Sequence, residues 1–421
     1  MKPQDVFSAA LHLPAPWFIT NVEFKELPDN PAVSELHIFI DFKKGSKFPC
    51  PVDGCGHTSP VHDTQERVWR HVNFFQYPCY IHARVPRVNC SDHKVRLVNV
   101  PWARPGSGFT LLFEGLALML AQDMPVATAA EHVGEHDTRL WRLIKHWISE
   151  ARKKLDFSDV EAVGIDETSK RGHNYLSVFV DLMKRRVMFV TEGKDAGTVT
   201  KFVKEFEEKN GSAEAVKVVS TDMSLAFKKG VSSCFPNACH VLDHFHVVKL
   251  VNDAVDAVRR RESKEEPVLK RTRYLWLKNF DNLTEKQQGR LTPLSKRHLK
   301  TARAYRMRLQ LQDIYTHTDA DLAQDEMKKL IRWMKLSRIE EMRRVGKTLQ
   351  ENLSGILAYW QNKFSNALLE GMNSIIQNIK RRARGFRNQE YFATMIYFVC
   401  GGLDIASLCP YPRMKGSIEV C

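Results

Sequence analysis

Residues 164–182, GIDETSKRGHNYLSVFVDL, carry the pattern that decides the fold of the main domain. A strand-like run over 162–168 is followed by two β-rich runs, 174–182 and 186–191, which a short polar turn joins into a predicted hairpin. Further along, helix and strand patterns alternate. They are an amphipathic helix at 196–209, buried strands at 216–220 and 238–242, and a helix from about 245 to 261. The order strand, strand, strand, helix, strand, strand, helix predicts an α/β domain built on a mixed sheet.

Two aspartates follow apolar strands of this predicted sheet. Asp166 comes just after the apolar run 163–165 of the first strand, and Asp222 follows the strand at 216–220. Open α/β sheets place functional residues at such strand ends. The ordinary alternative for one aspartate at a strand end is a helix cap or a loop salt bridge, and Asp222 could cap a helix at 224–229.

A third carboxylate, Glu370, lies on a predicted helix within SNALLEGMNSIIQNIKRRARGF, residues 365–386. Three carboxylates that converge on one point repel each other unless cations lie between them. Mg²⁺ prefers a few carboxylates, waters and phosphate oxygens, and two such ions about 4 Å apart can activate the attacking oxygen and stabilise the leaving one in phosphodiester displacement. The three residues together therefore predict a catalytic two-metal site.

Residues 48–100 are rich in Cys, His and Pro. Cys50 and Cys55 are separated by four residues, and Cys90 and His93 by two. Two short-spaced pairs joined by a loop predict tetrahedral zinc in a ribbon, and four protein ligands leave no open position, so this zinc would be structural. The competing donors are His57, His62 and Cys79. The alternative is a set of buried structural cysteines without a metal.

The pattern turns helical over 109–152, where Pro125 and Gly134 divide the segment into three short helices. Three helices with this punctuation predict a helix-turn-helix unit, and an ordinary helical linker bundle is the alternative. Basic side chains on the third helix favour DNA recognition. They are Arg139, Arg142, Lys145 and His146.

The charge of the chain indicates the class of partner. Its 421 residues include 63 Lys and Arg against 49 Asp and Glu, so the formal net charge is +14. Residues 259–308 contain 16 basic and 5 acidic residues, a net +11, together with Tyr274 and Trp276. One such run is often a solvated helix face, but a second cluster near the C-terminus favours a nucleic-acid channel. The second cluster is Lys380, Arg381, Arg382, Arg384 and Arg387.

The composition excludes several classes of protein. No run of about 18 apolar residues is present, so a membrane span is not expected. Residues 1–20 lack a basic stretch followed by an apolar one, so no secretory signal is predicted. Nine cysteines without such a signal suit a reducing cytosol, where paired Cys and His more often bind metal than form disulfides.

Long segments of the chain resemble the DDE transposases of bacterial insertion sequences, most closely those of the ISL3 type. The resemblance covers nearly the whole chain. Its segments are VPRVNC at 85–90 in the Cys/His ribbon, the helix-turn-helix, GIDETSKRGHNYLSVFVDL at 164–182, STDMSLAF at 220–227, HVLDHFHVVKLVNDAVDAVRR at 240–260, LKNFDNLT at 277–284 and SNALLEGMNSIIQNIKRRARGF at 365–386. It implies a ribonuclease-H-like catalytic domain with a helical insertion, and the predicted strand order agrees with such a domain.

By motif, the resemblance implies three catalytic acids, which are Asp166, Asp222 and Glu370. The insertion would begin after segment 243–246, whose Asp243 and His246 match a D-x-x-H pattern of related transposases. These two residues would orient the metal ligands without binding the metal themselves. For His246, a structural role on its own helix is the alternative. Glu167 is not expected to be a ligand, because successive residues on a strand point to opposite faces. The widened first Cys pair departs from the family pattern.

The resemblance also implies the reaction. Two Mg²⁺ (or Mn²⁺) ions per active site would be held by the three acids, and water would cut the transposon end to free a 3′-OH that attacks target DNA. The partner would be double-stranded DNA, both as transposon end and as target. Synapsis of two ends implies a homodimer or a larger assembly. No membrane partner is expected, and the implied location is the prokaryotic cytoplasm, in association with the nucleoid.

Further expectations concern basic and aromatic residues. Three basic residues follow Glu370 at spacings of 10, 11 and 14, near its face of the helix, where they could clamp phosphates. They are Lys380, Arg381 and Arg384. Gly385 is expected to end that helix. Three tryptophans of the insertion could stack on a base, but packing in the helix core is predicted for at least two of them. They are Trp276, Trp333 and Trp360.

These expectations divide the chain into six parts. They are an N-terminal lead-in (1–47), a zinc-ribbon-like domain (48–100), a helix-turn-helix domain (101–155), the first part of the catalytic core (156–258), a basic helical insertion (259–360) and the second part of the core with C-terminal helices (361–421). Two other functions remain open. One is a nonenzymatic DNA-binding regulator, and the other is a ribonuclease-H-like nuclease that hydrolyses DNA without joining strands.

Overall fold

A computed structural model describes residues 3–27, 30–171, 174–362, 367–407 and 409. Its N-terminal part is a short helix followed by a six-stranded sheet. The elements are α1 (Pro3–Leu11), β1 (Trp17–Leu27), β2 (Asn30–Phe42), β3 (Lys47–Pro49), β4 (Thr58–Phe74), β5 (Tyr77–Cys90) and β6 (Lys94–Leu97). The strand order is β1-β2-β5-β4-β3. The short strand β6 pairs with residues 87–90 at the end of β5.

The predicted lead-in is part of this sheet. Strand β2 pairs in parallel with β5, with Leu36 opposite Cys79. The alternating apolar residues of β2 explain the pairing, because Leu36, Ile38 and Ile40 are all buried on one face of the sheet. Residues 17–42 therefore share a hydrophobic core with the Cys/His-rich strands.

Three helices follow the sheet, as the sequence predicted. They are α2 (Leu111–Asp123), α3 (Val126–Val133) and α4 (Asp137–Lys153). The Thr110 side chain caps α2 by accepting a hydrogen bond from the Phe113 N–H, and Gly134 ends α3 in the left-handed region at φ 67°. The buried face of α4 includes Trp141 and Trp147, which lie in a core shared with the end of the chain.

The central domain is a five-stranded mixed sheet. Its elements are β7 (Ala162–Arg171), β8 (Asn174–Asp181), β9 (Arg186–Glu192), α5 (Ala196–Glu208), β10 (Val218–Thr221), α6 (Leu225–Cys234) and β11 (Cys239–Leu242). The strand order is β11-β10-β7-β8-β9. Strands β7, β8 and β9 are antiparallel neighbours, whereas β10 and β11 continue the sheet in parallel with β7.

Helix α6 corrects the predicted order, which placed the last two strands directly after each other. Parallel neighbours need a crossover connection, usually a helix, because the chain must return to the same end of the sheet. Helix α6 supplies that crossover between β10 and β11. Together with α5 it covers one face of the sheet, where Val163, Phe202 and Phe227 lie in one core.

From residue 244 to residue 400, the described part of the chain is helical. It consists of α7 (His244–Glu262), α8 (Arg273–Leu277), α9 (Glu285–Ser295), α10 (Lys300–Ile314), α11 (Ala320–Leu336), α12 (Glu340–Glu351), α13 (Leu353–Asn362), α14 (Ala367–Arg382) and α15 (Gln389–Cys400), with 3₁₀ turns at Pro267–Leu269 and Phe280–Asn282. Helices α7 to α13 form their own core. Helix α14 returns to the sheet and α15 packs against α4. No helix in the described ranges has the length and apolarity needed to cross a membrane.

The tryptophans of the insertion are largely internal. Trp276 is fully buried and donates to the Thr272 hydroxyl, and Trp360 is buried and donates to a backbone carbonyl. Trp333 is half-buried against the same core. The prediction that at least two of the three pack in the helix core is confirmed.

Part of the basic charge of 259–308 is also internal. Arg259 is buried and paired with Asp256 at 2.7 Å. Arg308 of α10 is 2% exposed and donates to the Asn252 side chain of α7 at 2.6 Å and to the Leu277 carbonyl of α8. Both guanidiniums are occupied inside the helical part, so the net charge of the segment overstates the charge that it can present to a polyanion.

Candidate active site and metal centre

The four predicted zinc ligands come together at one end of the N-terminal sheet. The donor atoms of Cys50, Cys55, Cys90 and His93 all lie within 4.8 Å of one another. The Cys55 and Cys90 sulfurs are 3.7 Å apart, and His93 Nδ1 is 3.6 Å from the sulfurs of both Cys50 and Cys90. A tetrahedral zinc with ligands at about 2.3 Å separates neighbouring sulfurs by about 3.8 Å, so this donor set fits zinc.

Local turns bring these ligands together. Cys50 directly follows β3, and the turn that leads to Cys55 passes through Gly54 at φ 78°, a conformation that glycine adopts without strain. Cys90 ends β5, and His93 lies in the turn to β6. The turn through Gly54 accommodates the four residues between Cys50 and Cys55. Backbone hydrogen bonding from Asp92 is the largest of several effects that lower the pKa of Cys90 to about 5, which favours the thiolate that binds metal.

Of the competing donors, His57 lies beside the four ligands and Cys79 lies away from them. His57 is the nearest, with Nδ1 at 3.7 Å from the Cys55 sulfur and 3.8 Å from that of Cys90. It also forms a second, more exposed donor group with Cys55 and Asp92. Cys79 instead lies in the sheet core, where burial raises its pKa to about 12. His62 belongs to no three-donor cluster within the described ranges.

The register of the central sheet aligns three aspartates. Gly164 of β7 pairs with Ser220 of β10, and Ser220 pairs with Val241 of β11. Two residues further along, the chain reaches an aspartate in each case, within β7 and directly after the ends of β10 and β11. The aligned residues are Asp166, Asp222 and Asp243. Neighbouring strands lie about 4.8 Å apart, so these positions form a short acidic row.

Asp166 is held from two sides. Its Oδ1 accepts a hydrogen bond from the Glu167 N–H at 2.7 Å, and its Oδ2 accepts one from the side-chain amide of Asn373 on α14. His246 Nε2 lies 3.8 Å from Oδ1. The carboxylate is only 13% exposed, so its orientation is set by these neighbours.

Asp243 and His246 belong to one helix turn. Asp243 caps α7 by accepting a hydrogen bond from the Phe245 N–H at 2.8 Å, and burial raises its pKa. His246 Nε2 lies 3.8 Å from Asp243 Oδ2 and the same distance from Asp166. The Asp166 carboxylate is the largest influence that raises the pKa of His246, and Asp243 adds to it.

Asp222 follows the other central strand, and Glu167 lies near it. Asp222 Oδ1 accepts a hydrogen bond from the Ser224 N–H at 2.9 Å, so it orders the turn before α6 without capping the helix itself. Glu167 is half-buried, and burial followed by the charge of Asp222 raises its pKa. Within the described ranges, neither Asp166 nor Asp222 belongs to a cluster of three donors inside 4.8 Å.

Helix α14 lies along β7 in step with the strand. The Asn373 amide binds Asp166, and the Gln377 side chain donates to the Thr168 hydroxyl at 3.1 Å. Glu370 lies on this helix, three residues before Asn373, but its side chain is outside the described part of the chain. Asn373 and Gln377 were not among the predicted site residues. They follow Glu370 by three and seven residues, a spacing that places all three positions on one helix face.

The predicted DNA-contacting residues have different surroundings. On α4, Arg142 is exposed, whereas Arg139 pairs with Glu135 and Lys145 pairs with Glu390 of α15 at 2.7 Å. Lys380 is half-buried, and Arg381 and Arg384 are exposed at the end of α14. Their neighbour Arg382 donates to two carbonyls at the end of α2. The helix ends at Arg382, and Arg384 and Gly385 follow with positive φ, close to the predicted stop.

Three family models match the chain in the order of these parts. A zinc-finger of transposases IS204, IS1001, IS1096 and IS1165 matches residues 46–93, and the helix-turn-helix domain of transposase family ISL3 matches residues 98–148. A transposase model of the DDE type of the same family matches residues 163–396, which is more than half of the chain. The predicted zinc ribbon and helix-turn-helix are thereby confirmed as domains.

Curated relatives agree with these matches over their full length. The transposase for insertion sequence element IS1001 of Bordetella parapertussis is 28% identical over 389 residues, which cover 89% of this chain and 94% of the relative. The transposase for insertion sequence element IS1557 of two Mycobacterium tuberculosis strains is 26% identical over 441 aligned positions, which cover 96% of both proteins.

Proposed function

The chain belongs to the ISL3 family of transposases and is a DDE transposase, and from this premise we propose that it cuts the ends of its own insertion sequence and joins them to target DNA. Water attacks the phosphodiester at the transposon end, the bond between phosphorus and the 3′ oxygen breaks, and a 3′-OH is released. That hydroxyl attacks a target phosphodiester in turn and displaces its 3′ oxygen. The exchange needs no covalent enzyme intermediate.

The catalytic domain is ribonuclease-H-like under this proposal. Its support is the strand order, in which three antiparallel strands are followed by two that add in parallel next to the first. In order of appearance within the domain the sheet reads 3-2-1-4-5. A helical insertion after the fifth strand separates the sheet from the helix that carries the third acid.

The acidic row is the single observation that carries the proposal. Asp166 lies on β7 and Asp222 directly after β10, each two residues beyond the paired residues Gly164 and Ser220, and α14 contacts β7 beside Asp166. Oxygen donors of this kind fit Mg²⁺ or Mn²⁺. Two ions held by Asp166, Asp222 and Glu370 would supply charge neutralisation and activation of the attacking oxygen. The protein residues hold the carboxylates in place and align the DNA.

Asp243 and His246 act as positioning residues. Asp243 begins α7 and lies beside His246, which in turn lies beside Asp166 at 3.8 Å. This arrangement links the start of the insertion to the first catalytic acid. Asp243 occupies the third place in the row but is 4% exposed and already serves as a helix cap, which favours a supporting role over metal binding.

DNA binding combines two surfaces. Arg142 on α4 belongs to the helix-turn-helix and contacts the transposon end, while Arg381 and Arg384 bind phosphates next to the catalytic helix, with Lys380 behind them. Arg139 and Lys145 contribute less to the first surface, because each side chain already pairs with a carboxylate. Zinc in the Cys50–His93 site holds the N-terminal sheet that precedes α2.

The assembly and location follow from the reaction. Two transposon ends must be brought together before they are joined to a target, so the active form is a homodimer or larger. The substrate is chromosomal double-stranded DNA, which places the enzyme with the nucleoid in the prokaryotic cytoplasm.

The test uses the DNA that flanks the reading frame, with Mg²⁺ omitted and added. We expect specific binding without the metal, and cleavage at the end together with joining of precut ends when it is present. Binding without any Mg²⁺-dependent nicking identifies a DNA-binding regulator. Nicking without joining of precut ends identifies a nuclease.

A pair of variants separates the roles within the acidic row. Asp222→Asn removes a proposed metal ligand and should abolish cleavage. Asp243→Asn keeps the cap of α7, because Asn and Asp cap helices equally well, and should leave measurable cleavage. Equal loss in both variants contradicts the division into ligand and positioning residue, and full activity of Asp222→Asn contradicts the site itself.

A further inference from the structure

Helix α14 and strand β7 meet at three evenly spaced places. Gly164 faces Leu369, Asp166 binds Asn373, and Thr168 binds Gln377. Each step is two residues on the strand and four residues on the helix. Two strand residues span about 6.6 Å and four helix residues about 6.0 Å, so the contacts stay in step over the whole length. The two elements are therefore locked in one register.

We propose that Asn373 is the positioning residue that orients the Asp166 carboxylate for metal binding and at the same time sets the position of the third acid. This inference rests on the proposed two-metal function. The Asn373 amide donates to Asp166 Oδ2, while the neighbouring backbone N–H donates to Oδ1. Each carboxylate oxygen has two acceptor sites, so both oxygens keep one site for a metal ion.

The chemistry of an amide suits this role. A lysine or arginine at position 373 would orient the carboxylate equally well, but its positive charge would neutralise Asp166 and compete with a divalent ion. The amide of asparagine is a neutral donor, so it fixes the direction of the carboxylate and leaves its charge available. Without it, Asp166 would be free to turn toward His246, whose Nε2 lies 3.8 Å from Oδ1.

The same register sets the position of Glu370. Leu369 packs against β7 so closely that a Cβ on Gly164 would lie 2.7 Å from its Cδ2. Asn373 holds the helix one turn later. Glu370 lies between these two contacts, so its backbone has little freedom to move along the strand. Asn373 thus joins Asp166, the first acid, to the helix that carries the third acid. Asn373 and Asp166 are 207 residues apart in sequence.

The test compares two variants of Asn373 that separate shape from hydrogen bonding. Asn373→Ala removes the amide, and Asn373→Leu keeps its branched shape and neutral charge but removes the donor. Asn378→Ala is the matched control for loss of an exposed asparagine on the same helix; because Asn378 accepts a hydrogen bond from Arg381, only metal binding and metal dependence are compared with it. The zinc-loaded protein is mixed with flanking end DNA. Mn²⁺ binding is followed by the free-ion electron paramagnetic resonance signal, and cleavage is measured across Mg²⁺ concentrations.

We expect both Asn373 variants to bind Mn²⁺ more weakly and to need about tenfold more Mg²⁺ for half-maximal cleavage, with end binding unchanged, because a hydrogen bond to a charged group is lost. Asn378→Ala should match the unaltered protein. The inference is overturned if Asn373→Leu keeps normal Mn²⁺ binding and cleavage, since only shape would then matter. It is also overturned if both variants behave normally while Asp166→Asn abolishes cleavage, an outcome that leaves the proposed function intact. Cleavage by Asp166→Asn would instead refute the function itself.

Discussion

The zinc site and the carboxylate site are assembled in opposite ways. The four zinc ligands lie within 44 residues and come from a turn after one strand and a turn between two others. The carboxylate site draws on β7, β10, α7 and α14, and its observed contact between Asp166 and Asn373 spans 207 residues. One site is local in sequence, whereas the other exists only when distant elements dock.

This difference teaches which parts of the molecule control each site. A local site depends on its own turns and on its metal, and damage to it should remain in the N-terminal sheet. A site built from distant elements depends on every interface that brings them together, so it should respond to small changes in packing far from the acids themselves. The following variants probe that contrast.

The largest effect is expected at the first acid. Asp166→Asn preserves shape but removes the charge that binds metal, so cleavage should fall by about 10³-fold or more while binding to end DNA persists. The measurement is a cleavage assay beside a binding assay on the same DNA. Cleavage near the original rate would remove Asp166 from the site.

Loss of zinc ligands should act elsewhere. Cys50→Ser combined with Cys90→Ser removes two of four ligands, so zinc content should drop and specific end binding should weaken about tenfold or more, while the fold of residues 160–421 persists. Elemental analysis measures the zinc content, a binding assay measures the affinity for end DNA, and limited proteolysis checks the fold. Cys234→Ser, outside the ribbon, is the control. Unchanged zinc content contradicts the ligand assignment.

A single methyl group should perturb the distant site. In Gly164→Ala the new Cβ would lie 2.7 Å from Leu369 Cδ2 and 2.8 Å from Leu182 Cδ2, so these packed side chains must shift and disturb the contact between α14 and β7. We expect a loss of about 1–3 kcal/mol in the free energy of unfolding and a clear fall in cleavage, on the order of tenfold.

The control for this variant lies on α14 itself. A Cβ on Gly371 meets open space, and Gly371→Ala should stabilise the helix slightly, by up to about 1 kcal/mol, with cleavage unchanged. Thermal melting and cleavage rates compare the two alanines. If Gly164→Ala melts and cleaves like the unaltered protein, the close contact with α14 does not control the site.

The smallest effect is expected on the DNA-binding surface. Arg142→Ala removes one exposed charge of α4, so end binding should weaken a fewfold and the slope of log affinity against log salt should fall by about one. Arg152 on the same helix pairs with Glu205 and packs over Tyr397, so Arg152→Ala should lower stability and leave the slope unchanged. Identical slopes in all three proteins would place Arg142 away from the DNA.

Much of the molecule could be predicted from local patterns. The apolar strands around Asp166 and before Asp222, the Cys and His pairs and the three helices before the main sheet each depend on residues that are close in sequence. Asp166 itself lies within β7 and does not end it, because the polar residues after it continue the pairing with β8. The helix expected at 224–229 is α6, but the predicted order did not place it between the last two strands, because their parallel pairing is a property of the folded sheet. The pairing of β2 with β5 was missed because it joins segments that the composition separates.

What the sequence determined by itself is therefore the chemistry that is available: soft ligands for zinc, acids after strands and a large excess of basic residues. The tertiary structure decided how these groups are used. It aligned Asp243 with the two acids, set Asn373 against Asp166 and buried Arg308 inside the insertion. Side-chain periodicity is a local property, but strand register and helix docking depend on packing between segments that are hundreds of residues apart. No local pattern specifies which asparagine meets which aspartate.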